Sequence, residues 1–105
     1  MRLIALVLFS LINLGSLNAF AGDVPNLVGQ FGFDWLQPQK SKCTPITQAI
    51  QSRFKSCESF GKDSTQSFAG KGDYHTCRID KNHEYMVYKT NPRCAEEFGI
   101  MESNE

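Results

Sequence analysis

Four cysteines, Cys43, Cys57, Cys77 and Cys94, restrict this chain more than any other feature. The gaps between them are 13, 19 and 16 residues, so none forms the close C-x₂-C pair usual in structural zinc sites. An even number in a small exported chain reads as two disulfides. Four cysteines allow three pairings. The segment CTPITQAIQSRFKSC, from Cys43 to Cys57, narrows the choice. Thr44 suits a helix N-cap, and Pro45 suits the first helical position, where the N–H would be unpaired anyway. Ile46, Ala49, Ile50, Phe54 and Cys57 fall on one stripe of a 3.6-residue period, while Gln48, Gln51 and Lys55 fall off it and suit water. The spacing predicts a helix over residues 43–57. A helix of that length holds its ends roughly 20 Å apart, and a disulfide needs Cα atoms within about 7 Å. On this reading Cys43 and Cys57 do not bridge each other.

The oxidising compartment that disulfides require has its own signal. Met1-Arg2 is a short positive start, Leu3 to Leu14 is apolar except for Ser10 and Asn13, and Ala19-Phe20-Ala21 is a small-x-small cleavage pattern. Together they predict an export signal over residues 1–21, cut before Gly22. The apolar run is shorter than the ~20 residues a membrane span needs, so no membrane anchor is expected after cleavage. The expected location is periplasmic or secreted. Without Arg2 the remaining chain has ten basic residues against 11 acidic ones. That balance gives no basic stripe for nucleic acid and no attraction to an anionic membrane. Much of the apolar content lies in the signal, so the remainder has a thin core of the kind that covalent staples support.

Residues 22–42 form an aromatic lead-in. Phe31, Phe33 and Trp35 alternate with Gly32 and Asp34, which puts three rings on one face of an extended segment. They either complete the core or, with Phe60 and Phe68, offer a surface for another protein. Residues 58–73 read as a polar loop, with a short strand conceivable at 66–69. Residues 74–90 read as a β-hairpin whose turn is Asp80-Lys81-Asn82-His83. With Lys81-Asn82 as the loop, Ile79 faces Glu84, Arg78 faces Tyr85, Cys77 faces Met86 and His75 faces Tyr88. Cys77, Ile79, Met86 and Tyr88 would then share the core face, and a slip of one residue would reverse the faces. Residues 91–102 read as a closing helix, with Asn91 as cap, Pro92 in the first turn, and Cys94, Phe98 and Met101 turned inward.

The expected fold is a small α+β domain, two helices packed on one face of a short antiparallel hairpin or sheet, stapled by two disulfides. The preferred pairing is Cys43–Cys94 with Cys57–Cys77. Cys43–Cys77 with Cys57–Cys94 stays open, since pairing does not follow from sequence alone.

The chain carries no phosphate-binding, dinucleotide or hydrolase fingerprint and no C-x-x-C. No cofactor and no metal are expected, because two histidines without a carboxylate cluster make a poor metal set. The function expected is a small exported binding or accessory module without catalysis, monomeric, with a protein as partner. The alternative is a small exported hydrolase using His75 with a carboxylate, for which the sequence shows no site; a His75–Cys77 pair is disfavoured because a bridged cysteine is no nucleophile and no third orienting group is evident.

Overall fold

The computed structural model describes residues 23–104; the signal expected over residues 1–21 lies outside them. These residues form a small α+β domain around one five-stranded antiparallel sheet. In chain order the elements are β1 (Phe31–Asp34), β2 (Thr44–Pro45), α1 (Gln48–Gln51), β3 (Ser56–Phe60), β4 (Tyr74–Asp80), β5 (His83–Tyr88) and α2 (Asn91–Ser103). The strand order is β2-β1-β5-β4-β3. The expected hairpin is therefore only the middle of a wider sheet.

The helix expected over 43–57 is replaced by strand, one helical turn, and strand. Thr44 and Pro45 pair with Gly32 and Phe31. Proline tolerates this because β2 is an edge, where its missing N–H breaks no ladder. Ile46 extends the contact, donating its N–H to the Gln30 carbonyl and accepting from the Gly29 N–H. The cap is then Thr47, whose side chain accepts from the Ile50 N–H at 3.2 Å. The apolar spacing still brings Ile46, Ile50 and Phe54 to the core, but tertiary pairing overrides the helical propensity around them. The residues 58–60 assigned to loop belong to β3, and 66–69 form a turn rather than a strand. In α2 the capping oxygen comes from Thr90, one residue before Asn91.

The hairpin turn stands where its chemistry placed it, with Asp80 facing His83 and the Asp80 carboxylate accepting from the Asn82 N–H at 2.8 Å. A β-bulge between Arg78 and Asp80 then shifts the register by one residue. Arg78 faces Glu84, Cys77 faces Tyr85, Thr76 faces Met86, and His75 faces Val87. The bulge inserts one unpaired residue, Ile79, and so reassigns every facing pair beyond it. Cys77 and Ile79 thus separate from Met86 and Tyr88, which lie on the other side of the sheet.

Both sides are covered, which gives the domain two thin cores in place of one. On one side Leu27, Ile46, Phe54, Cys77, Ile79 and Val87 pack together with Ile50 of α1. This side is roofed by the N-terminal arm, residues 23–30, and is called the arm face. On the other side Phe33, Tyr74, Met86, Tyr88, Cys94 and Met101 pack together under α2, here the helix face. The two helices therefore lie on opposite sides, not on one. Gly32 is what allows β1 so close to β5: a Cβ there would lie 2.7 Å from the Met86 carbonyl oxygen and 3.2 Å from Ile46.

Two disulfides staple the domain. Cys57–Cys77 joins facing residues of β3 and β4 with Cα atoms 4.1 Å apart, the narrow spacing of a non-hydrogen-bonded pair. Cys43–Cys94 ties the residue before β2 to the first turn of α2. Among the described residues no cysteine is free, and no helix is long and apolar enough to cross a membrane.

Candidate functional site

Alternation along β1 sends Phe31, Phe33 and, just past the strand, Trp35 to the helix face. Phe33 is fully buried, stacked near Tyr88 and edge-on to Phe98. It belongs to the core and offers nothing to a partner. Phe31 is half-buried against the same cluster, and Phe60 stacks on Tyr74 with ring centres 4.6 Å apart. Phe60 lines a cleft beside β3, and Trp35 and Phe68 together line another open space.

That space is a cleft of about 240 Å³ lined by Trp35, Gln66, Phe68, Tyr74, Glu84 and Met86. Its floor is the pleated surface of β4 and β5. Trp35 is fixed by its indole N–H, which donates to the Glu84 carboxylate at 2.9 Å. Arg78 lies 3.5 Å from the same oxygen. The opposite wall is the turn carrying Gln66 and Phe68, and a buried polar knot holds it. Glu97 of α2 is fully buried. Its carboxylate accepts from the Ser67 hydroxyl at 2.9 Å, from the Ala69 N–H at 3.1 Å, and from the Arg93 guanidinium. Arg93 also donates to the carbonyls of Lys71 and Gly72 and lies over the Tyr88 ring. Gly72 closes the segment against Gly61, where a Cβ would stand 1.9 Å from the Gly61 carbonyl oxygen. The segment read as a polar loop is tied down along its second half.

A second cleft, about 420 Å³, opens near the hairpin turn and is lined by Asp34, Lys40, Ser41, Arg53, His83 and Tyr85 among others. His83, read from the sequence as part of the hairpin turn, meets Asp34 with Nδ1 2.7 Å from the carboxylate. The pair is 49 residues apart in sequence, so no local pattern could announce it. Asp34 itself, read only as a spacer between aromatics, is buried.

A third cleft, about 240 Å³, lies beside the edge strand β3 and includes Ser59, Asp73, His75 and Lys89. Ser59 Oγ is 2.8 Å from His75 Nδ1. Burial lowers the His75 pKa below its usual 6.5, and Lys89 adds to the effect, so the ring is neutral at pH 7. Among the described residues no hydrogen bond joins Asp73 to His75, and no group of three metal-ligating side chains comes together. Cys77, two residues along, is bridged to Cys57 and is not a nucleophile.

No protein-family model, curated protein or solved structure matches this chain.

Proposed function

We propose that the chain is a small exported binding module without catalytic activity, and that the Trp35–Phe68 cleft is its contact surface for another protein. One observation carries the reading: an aromatic wall is held in a fixed pose, Trp35 by Glu84 on one side and Phe68 by the Glu97 knot on the other. Rigid aromatic rings bury large area at low entropic cost, and such anchors dominate protein interfaces. The disulfides support export, since they persist in oxidising compartments, and the leader pattern of residues 1–21 supports it independently. The exported form begins at Gly22 and acts as a monomer.

The test uses the only tryptophan in the chain as its own reporter. Titration with a fractionated envelope or medium extract is expected to change Trp35 emission saturably, and the same fraction is expected to lose its binding to Trp35→Ala by tenfold or more, the scale of an interface anchor. Equal capture by the wild type and by Trp35→Ala would remove this cleft as the contact.

The Ser59–His75 contact favours one second reading, hydrolysis with Ser59 as nucleophile and His75 as base. Among the described residues no third group orients the base through a hydrogen bond. If ester or amide hydrolysis is detected, His75→Gln must abolish it; survival of the activity in that variant ends this reading.

A further inference from the structure

The cleft beside the hairpin turn has a different chemistry from the aromatic cleft. Three basic groups line it: Lys40, Arg53 and His83. Among the described residues neither Lys40 nor Arg53 takes part in an ion pair. The carboxylate in the cleft, Asp34, is already occupied. One of its oxygens accepts from the N–H groups of Leu36 at 3.1 Å and Glu84 at 3.2 Å, and the other meets His83 at 2.7 Å. A carboxylate bound in this way is an orienting group. It fixes His83 through Nδ1 and leaves Nε2 as the free ring nitrogen.

Neutral donors complete the lining. The Ser41 Oγ accepts from the Asp34 N–H at 2.6 Å, which leaves its own proton to donate. The Tyr85 hydroxyl has no hydrogen-bond partner among the described residues, and burial raises its pKa above the usual 10, so it stays a donor at neutral pH. The result is a cleft rich in unpaired donors and cations whose acidic member is satisfied internally.

We propose that this cleft binds a small oxyanion, the carboxylate or phosphate group of a polar molecule, between Lys40, Arg53 and His83. Arginine supplies a planar fork that matches either group in a bidentate contact. Lysine adds a mobile point charge, and Ser41 and Tyr85 add directional hydrogen bonds.

The experiment is an NMR titration of the oxidised protein, following the Arg53 and His83 side-chain resonances. Inorganic phosphate and acetate are added separately, with sodium chloride at matched ionic strength as the control. The expected result is a saturable shift of both residues with at least one of the two anions and none with chloride. The tighter of the two names the preferred group. Arg53→Gln and Lys40→Gln, both at exposed positions, are each expected to weaken binding about tenfold, the scale of one charge-assisted hydrogen bond. Lys62→Gln, outside the cleft, is expected to leave it unchanged. Chloride shifting the same resonances equally, no saturable shift with either anion, or an affinity unaltered in Arg53→Gln would overturn the proposal.

Discussion

Glu97 shows how much one side chain can hold in a domain with so little core. It is a fully buried carboxylate with three partners, and each of those partners belongs to something else: Ser67 and Ala69 to the wall of the aromatic cleft, Arg93 to the Lys71 and Gly72 carbonyls. Removing it takes the carboxylate acceptor from a hydroxyl and an N–H and the closest counter-ion from a guanidinium that keeps only its weaker contacts. Glu97→Ala is therefore expected to destabilise the domain by about 3–5 kcal/mol, the range for breaking a buried ion pair from one side. Urea denaturation measures this directly, and a loss below about 1 kcal/mol would mean that the knot relaxes without it. None of this was visible in the sequence, where nothing marks Glu97 for burial. The Asp34–His83 pair was hidden for the same reason. Both depend on partners about 30 to 50 residues away, and no local pattern encodes which polar side chains become buried.

The elements were legible in proportion to how locally they are determined. The strands β4 and β5 and the helix α2 announce themselves through aromatic and β-branched residues, turn chemistry and a proline in the first turn. What failed was any element that tertiary pairing decides. Thr44-Pro45 is as good an edge strand as it is a helix start, and pairing with β1 selected the strand. The bulge near Ile79 shifted the hairpin register although the turn itself was right. With the helix over 43–57 gone, the distance argument against a Cys43–Cys57 bridge loses its premise. Gln51, assigned to water, instead holds the N-terminal arm: its amide accepts from the Leu27 N–H and donates to the Pro25 carbonyl, both at 2.8 Å. Gln51→Ala removes two hydrogen bonds of about 1 kcal/mol each. The expected outcome is release of the arm before global unfolding, seen as faster hydrogen exchange at Leu27 with β5 amides unchanged. Exchange that accelerates equally in β5 would show that the arm and the sheet open together.

At the scale of the whole molecule, stability rests on two thin cores and two covalent ties. The bridges span 51 and 20 residues, and chain-entropy arguments assign about 4 and about 3 kcal/mol to loops of those lengths. Total stability of a small domain is typically about 5–15 kcal/mol, so full reduction is expected to abolish the cooperative thermal transition near the oxidised midpoint. A reduced protein that melts within a few degrees of the oxidised one would contradict this. The pH dependence follows from four rings. Burial raises the pKa values of Tyr74, Tyr85 and Tyr88 above 10, so above pH 10 the unfolded chain loses protons that the folded one keeps, and stability falls as pH rises. His75 works at the other end. Its pKa is lowered by burial from 6.5, so below pH 6.5 the unfolded chain binds more protons and stability falls as pH drops. These groups leave a plateau between those limits, and phenolate absorbance is expected to appear together with unfolding rather than before it. The nesting of the bridges has one more consequence. Cys57–Cys77 lies wholly within the span closed by Cys43–Cys94. A protease that cuts once in the segment between β3 and β4 therefore releases nothing. Both halves stay joined at two points, the mass rises by one water, and the nicked molecule keeps its sheet.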